Sequence, residues 1–507
     1  MNMPATDLRD DPAPAVRRER AWWALLPALW LAHLVLSGTP WGLGVTPDSL
    51  DYLQAANSLA QGHGLAGFSS QWPPLYPVAV AALSWLGGDV LGAGRCLNAL
   101  LAATSIGLVA CIARRCGWRA PFVLAFLLLL GMQAGYLHVH YLLWSEPLFL
   151  TLCLADLLLL DAALRRPERI RRWAVLVMVT AAAIMVRYAG LFLLLLNAGA
   201  MLLFLTERRP GARVARIALV SLASLLPFLA WIAFHHSQGE GAANRSLAWH
   251  PPGEGKLAML GHTVAVWFRL PDAWGLPALA MLLAIAVHQV VLAIRRRDAV
   301  DRTVATLAMY VLAYAGFLAA SVTLVDGHTP LDERILFPML PMAWLLPAQL
   351  ARGIGNRHVR SVAILVLAAL LAFGAFVGWM DWRASRAEGI GLTSKRVQAL
   401  PVLAWLKHLP ADLPIVSNGP DLCTIYLGRS SRMLPRTYDP MSRKPNAAVS
   451  QQLEAMSAGP TLIVHFHAMA WRRYLAGPEQ IERLQNLRLV YRDEDALVWV
   501  RNEQPAD

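Results

Sequence analysis

The chain has 507 residues, 57% of them hydrophobic and only 15% charged, with a formal net charge of +12. A soluble domain is ~25% charged, and one core rarely serves more than ~250–300 residues, so composition excludes a chain that folds in water alone. The positive charge lies in short arginine blocks between apolar runs, with no basic stripe interleaved with aromatics, which argues against a nucleic-acid partner.

Residues 1–20 are polar and read as a cytoplasmic N-terminal tail. The run at 21–38 lacks a small-residue cleavage site and reads as a retained first span. A long loop, 39–92, follows. Leu50, Leu53, Ala56 and Leu59 recur at helical spacing after Pro47, which predicts a helix too short and polar to span and lying along the membrane surface. Asp48 stands at its start, where it is an N-cap with Asp51 three residues on, a general base, or both. Gly62-His63-Gly64 ends this helix, Trp72-Pro73-Pro74-Leu75-Tyr76-Pro77 forms a rigid turn, and 78–87 reads as re-entrant.

Further spans are predicted at 93–113, 120–137, 146–164, 173–188, 190–206, 214–234, 276–294, 303–325, 335–351 and 360–380, about eleven crossings in all. Arg95 opens the second. His138 and His140 precede the fourth, where a metal pair is weaker than an interfacial reading. Ser145-Glu146-Pro147 starts the fourth span, so Glu146 can complement a helix N-terminus. Asp156 lies deep within it and is given a structural role facing the bundle. The spans 173–188 and 190–206 meet at Arg187-Tyr188 without a true loop. Asp332-Glu333-Arg334 leads into the Pro-rich tenth span.

The connections alternate in charge. Arg17–Arg20, Arg114–Arg119, Arg165–Arg172, Arg208–Arg216, Arg295–Arg302 and Arg352–Arg360 are basic, while 39–92, 138–145, 188–190, 235–275 and 326–334 are poor in Lys and Arg. The positive-inside rule assigns the basic set to the cytoplasm and the long connections to the outside. Arg95, Arg187 and Arg334 then fall on the outer side, where a planar guanidinium suits a phosphate. Residues 381–507 are polar, with β-prone runs at 413–417, 461–466 and 496–500 alternating with helical patterns at 396–408, 447–457 and 478–486. They read as a small extracytoplasmic α/β domain after a transmembrane domain at 21–380. The five cysteines suggest no disulfide framework.

Taken in order, Asp48-Ser49-x-x-Tyr52, Gly62-x-Gly64, Pro73-Pro74-Leu75-Tyr76-Pro77, Ser145-Glu146-Pro147-Leu148-Phe149, Arg187-Tyr188-x-Gly190 and Asp332-Glu333-Arg334 resemble the GT-C superfamily of membrane glycosyltransferases. The nearest likeness is to the branch of protein mannosyltransferases, aminoarabinose transferases of lipid A and lipopolysaccharide-core glycosyltransferases. That resemblance covers roughly residues 20–350. It implies an all-α polytopic membrane bundle in the bacterial inner membrane and a polyprenyl-phosphate sugar donor. The acceptor is a glycolipid, polysaccharide or protein. It also implies an acidic base in the first outer loop, which maps onto Asp48, with Glu146 as a second catalytic candidate. Arg187, Arg334 and Arg95 become candidates for the donor phosphate, and Tyr52, Tyr76, Tyr188 and His140 for substrate contact. A divalent metal is possible, although Asp48 and Asp51 do not make the acidic pair of metal-dependent oligosaccharyl transferases. The rival readings are a transporter or lipid flippase, for which Asp156 alone speaks, and a surface-polysaccharide polymerase or ligase.

Overall fold

Every predicted apolar run is helical, but the runs differ in how far they reach. The structure, a computed structural model, describes residues 24–65, 68–207, 209–238, 247–296, 299–327, 329–410, 412–429, 431–438, 444–457 and 459–501. The predicted tail 1–20 and the first residues of the 21–38 span lie outside the described residues. The helices in chain order are α1 (Leu25–Gly38), α2 (Pro47–Ala60), α3 (Leu75–Ser84), α4 (Val90–Arg115), α5 (Ala120–Gly131), α6 (Ala134–His140), α7 (Glu146–Arg165) and α8 (Ile170–Val186). They continue with α9 (Phe192–Phe204), α10 (Pro210–Ser237), α11 (Glu254–Phe268), α12 (Gly275–Arg296), α13 (Ala299–Leu324), α14 (Glu333–Leu336), α15 (Leu340–Arg352) and α16 (Arg357–Glu388).

Among the described residues seven helices are long and apolar enough to cross a membrane, or eight if the bent pair α5–α6 is one span. Among the described residues the expected count of about eleven is not confirmed, for two reasons. First, α1, α8 and α9 have 14, 17 and 13 residues. At 1.5 Å per residue they cover only ~20–26 Å of a ~30 Å hydrocarbon layer. Second, the predicted span 120–137 is broken by 63° between α5 and α6. Gln133 causes the break. Its backbone is extended, and its Nε2 donates to Leu371 O of α16 at 2.7 Å. A polar side chain reaching a neighbouring helix satisfies itself there and lets the backbone turn. The stretch 235–275, expected to be a connection, contains α11, which buries Val264, Trp267 and Phe268.

The tail begins later than residue 380, because α16 runs on to Glu388. Its helices are α17 (Lys395–Gln398), α18 (Pro401–Lys407), α19 (Pro420–Leu422), α20 (Val449–Met456) and α21 (Pro478–Ile481). Its strands are β1 (Ile415–Ser417), β2 (Arg432–Met433), β3 (Thr461–Phe466), β4 (Leu487–Arg492) and β5 (Ala496–Arg501). They form one mixed sheet in the order β2-β1-β3-β5-β4, parallel at β1–β2 and β1–β3, antiparallel elsewhere. Side chains alternate across it. Leu462, Val464 and Phe466 of β3 join a core with Leu403 and Leu406, while Ile463 joins Leu453 and Trp499 on the opposite face.

This tail is tied to the segment just ahead of α2. Leu392 N–H donates to Val45 O at 2.9 Å and Thr393 Oγ1 donates to Leu43 O at 2.8 Å. Gln398 Nε2 reaches Trp41 O at 2.6 Å. Gly391 permits this contact: its φ is +65°, and a Cβ there would meet Val45 O at 2.6 Å. Within the tail, Arg472 Nη1 and Asp421 Oδ2 form an ion pair of 2.6 Å with both side chains buried. Removing one partner of a buried pair costs ~3–5 kcal/mol. Arg472→Ala therefore lowers the thermal stability of the purified protein and opens residues 389–501 to limited proteolysis. Unchanged cleavage would show that the pair does not hold the tail together.

Candidate active site

Four of the charged residues singled out in the sequence meet at one end of the bundle. Each comes from the end of a different helix, so the site is built by the way those ends are fixed. The segment 43–45 runs beside the loop that precedes α7. Gly44 N–H donates to Tyr141 O and Leu143 N–H donates to Gly44 O, both at 2.8 Å. A Cβ on Gly44 would lie 2.6 Å from the end of the Leu142 side chain and 3.0 Å from Ile390 O, so the close approach favours glycine. This bridge sets the start of α2 beside the start of α7.

The N-cap of α2 is Thr46, not Asp48. Thr46 has extended backbone, Ser49 Oγ accepts its N–H at 3.1 Å, and the two hydroxyls lie 2.8 Å apart. Trp144 Nε1 also donates to Thr46 Oγ1, at 2.9 Å. The capping interpretation of Asp48 is thereby corrected. Pro47 and Asp48 occupy the first helical turn, and the Asp48 carboxylate is free to point elsewhere.

It points to Arg334. Arg334 Nη1 donates to Asp48 Oδ2, and Arg334 Nε donates to Glu146 Oε1 at 2.5 Å. Arg187 Nη1 donates to the same Glu146 oxygen and to Ser145 Oγ at 3.1 Å. Tyr52 OH and Ser145 Oγ are 3.2 Å apart. Asp332 caps α14 by accepting from Ile335 N–H at 3.1 Å, which places Arg334 in the first turn. Arg187 has extended backbone between α8 and the short 3-10 turn Tyr188–Leu191, which is why the fifth and sixth apolar runs meet without a loop.

Exposure divides the two carboxylates. The Glu146 side chain is 1% exposed and each arginine 12%, while Asp48 is 47% exposed. Glu146 is thus sealed behind two guanidiniums, and Asp48 faces outward. Arg334 Nη2 is buried with no hydrogen-bond partner among the described residues. That is one vacant charged donor, beside an outward carboxylate. Its guanidinium also lies over the Trp144 ring at 4.8 Å and the Trp72 ring at 5.9 Å. These two tryptophans hold it in a fixed plane. Sequence reasoning missed Trp144. Its position directly before Ser145-Glu146 was the available signal.

Other candidates fall in different places. Tyr52 is buried, and burial raises its phenol to about 12, so it acts as a neutral hydrogen-bonding group. Tyr76 meets the Tyr52 ring edge-on at 5.1 Å. Tyr188 OH donates to Ser70 O at 2.8 Å and so ties down the loop between α2 and α3. His140 is fully buried, its Nδ1–H donating to Tyr136 O at 2.7 Å, and packed between Tyr136 and Phe337, while His138 is exposed. The geometry makes His140 an interior packing residue. Arg95 lies apart from the cluster: its Nε donates to Thr39 Oγ1 at 3.0 Å and its Nη2 to Leu36 O at 2.5 Å. Those bonds satisfy the C-terminal end of α1, a common use of a basic side chain. Arg95→Ala should therefore leave donor affinity unchanged; a rise in the donor Michaelis constant as large as that of Arg334→Ala would contradict this division.

Asp51 shares α2 with Asp48 but has a different partner, Trp72 Nε1, at 2.9 Å. Burial pushes its carboxyl above the ordinary value of 3.8. The Trp72 bond opposes that, and the charges of Asp48 and Asp421 add to it. Above 3.8 and up to the raised value, the folded chain binds more protons than the unfolded one, so this stability is present at low pH and lost as pH rises through the raised value. Asp51→Asn keeps an acceptor for Trp72. It should flatten the acid side of the stability–pH curve and retain transfer; a loss of activity matching Asp48→Asn would contradict separate roles.

Among the described residues no three His, Cys, Asp or Glu side chains gather to hold a metal. Asp48 faces a guanidinium and Asp51 an indole. Deep in α7, Asp156 accepts from Thr180 Oγ1 at 2.5 Å, and Thr180 in turn accepts from Asn197 Nδ2 at 3.2 Å. These bonds tie α7, α8 and α9 together, as the structural reading of Asp156 expects.

No protein-family model matches the chain, and no curated protein matches it in sequence. Solved structures do match. ArnT from Cupriavidus metallidurans in the apo state is similar over 96% of this chain and 100% of ArnT, with a TM-score of 0.51 and 15% identity. The same enzyme bound to undecaprenyl phosphate gives 0.51 and 14% over the same shares. Archaeal oligosaccharyltransferase AglB from Archaeoglobus fulgidus, in complex with an inhibitory peptide and a dolichol-phosphate, is similar over 89% of this chain and 70% of AglB, with a TM-score of 0.55 and 11% identity. The chain has the fold of the GT-C membrane glycosyltransferases.

Proposed function

We propose that this protein transfers a sugar from a polyprenyl-phosphate donor to a hydroxyl-bearing acceptor at the outer face of a bacterial inner membrane. The acceptor is a glycolipid, polysaccharide or protein, and the tail lies on that same outer face. One observation carries the reading: Arg334 joins an outward carboxylate, Asp48, to a sealed one, Glu146, and keeps a donor free. A phosphate and a nucleophile have reason to meet there. The ArnT and AglB structures that share the fold were solved with undecaprenyl phosphate and a dolichol-phosphate, which supports a lipid phosphate as the ligand.

In this reading the donor phosphate binds the vacant Arg334 Nη2 and the outer edge of Arg187. Asp48 takes the proton of the acceptor hydroxyl while that oxygen attacks the anomeric carbon. The new carbon–oxygen bond forms as the bond to the phosphate oxygen breaks, and the electron pair leaves with the phosphate. The two arginines offset the charge that grows on it. Displacement in one step inverts the anomeric centre. Glu146 touches neither substrate. It is a positioning residue that keeps both guanidiniums aimed at one point. Asp48, being the exposed member, is the one an acceptor can reach.

The test is genetic and chemical. Surface glycans, glycolipids and glycoproteins from a deletion strain are compared by mass spectrometry with those from strains restored with the wild type or with Asp48→Asn. The reading expects one sugar to be missing in the deletion and Asp48→Asn strains and present with the wild type. An unchanged glycan set in the deletion strain would end it.

A further inference from the structure

A second feature lies at the far end of the bundle. Between α5, α15 and α16 there is a groove of about 560 Å³. From Arg334 to Arg352 the chain advances 18 residues, roughly 27 Å at helical rise, which is about the depth of the hydrocarbon layer. The groove therefore opens at the interface opposite the Asp48–Arg334 cluster, on the basic side of the bundle.

Its walls are apolar at helical spacing. Phe122, Phe126 and Leu129 of α5 face Ile364, Leu367 and Leu371 of α16 across it. The stripe from Arg360 to Leu371 covers roughly 16 Å, the depth of one leaflet of a ~30 Å layer. Its mouth carries three arginines, Arg119, Arg352 and Arg360, and no acidic side chain. Arg352 is engaged: it donates to Gly117 O at 2.9 Å and to Gln349 Oε1 at 3.1 Å, and lies over Trp118 at 5.4 Å. No hydrogen bond or ion pair involves the Arg119 or Arg360 side chain among the described residues.

We infer that this groove binds one membrane phospholipid with a net negative headgroup, its acyl chains along α5 and α16 and its phosphate between Arg119 and Arg360. Basic pockets between membrane helices hold such headgroups. Two unpaired guanidiniums with no carboxylate nearby favour an anionic headgroup over a zwitterionic one, whose ammonium would meet only positive charge. This site is independent of the transfer reaction and stands or falls without it.

The purified full chain, stripped of lipid in detergent, is titrated with phosphatidylglycerol and with phosphatidylcholine of the same acyl chains, and bound lipid is counted by native mass spectrometry. The wild type is expected to hold one phosphatidylglycerol roughly tenfold or more tightly than phosphatidylcholine. Arg119→Gln with Arg360→Gln removes that preference, and both side chains are far enough from the core to spare the fold. Ala368→Trp, an exposed position lining the groove, lowers retention of both lipids. Arg171→Ala, which removes one positive charge elsewhere on the basic side, leaves the preference intact. Equal retention of the two lipids by the wild type overturns the inference. So does a preference that survives the double substitution, unchanged retention in Ala368→Trp, or an equal loss in Arg171→Ala.

Discussion

Asp48→Asn lowers sugar transfer by about 10²- to 10⁴-fold, the range for loss of a general base, and leaves the fold intact. Asparagine matches the shape of aspartate but cannot accept the proton. The substitution leaves the cap of α2 untouched, since Thr46 and Ser49 form it. Arg334 keeps its bond to Glu146. The 47% exposure of the Asp48 side chain also limits any cost in stability. Transfer assayed in membranes, beside thermal unfolding of the purified variant, separates the two effects. Wild-type turnover in a folded variant would remove Asp48 from the chemistry.

Glu146→Gln has the largest expected effect on stability. It strips two guanidiniums, each 12% exposed, of their shared counter-charge and leaves Arg334 paired with Asp48 alone and Arg187 with no carboxylate among the described residues. Breaking a buried ion pair by removing one member costs ~3–5 kcal/mol. The cost belongs to the cluster, so it should not be additive. Adding Arg187→Ala to Glu146→Gln removes one of the stranded charges and should recover part of the loss, with a coupling of ~0.5–3 kcal/mol in a double-mutant cycle. Thermal unfolding of the wild type, both single variants and the double variant measures it. Strict additivity would mean that Glu146 does not hold the arginines in place.

The charged members of this cluster were legible because each breaks an apolar pattern. Asp48, Glu146, Arg187 and Arg334 stand at the ends of apolar or amphipathic runs, and charge near a membrane needs a reason. Their mutual contacts were not legible. Asp48 and Arg334 are 286 positions apart, and only the packing of helix ends brings them together. Arg95 looked equivalent in sequence. It differs because the last turn of α1 offers it a free carbonyl.

The fold was legible in the same uneven way. Apolar runs located the helices, but run length alone does not fix which helices cross. Gln133 sits inside an otherwise apolar stretch, and the break it causes depends on α16, far away in sequence. In the tail, β1, β3 and β5 match the predicted β-prone runs. The strand β4 was missed because Arg488 and Arg492 interrupt its apolar pattern, and both lie on a largely exposed edge. The two-residue β2 is too short to carry any periodicity.

We propose that the Asp48–Arg334–Glu146–Arg187 cluster receives the phosphate of a lipid-linked donor. The most direct measurement is an experimental structure of the full chain in lipid nanodiscs with undecaprenyl phosphate. A phosphate oxygen is expected within hydrogen-bond distance of Arg334 Nη2, with Asp48 open to solvent beside it. A lipid phosphate held by Arg95, or bound only at the opposite end of the bundle with the cluster unchanged, would contradict it.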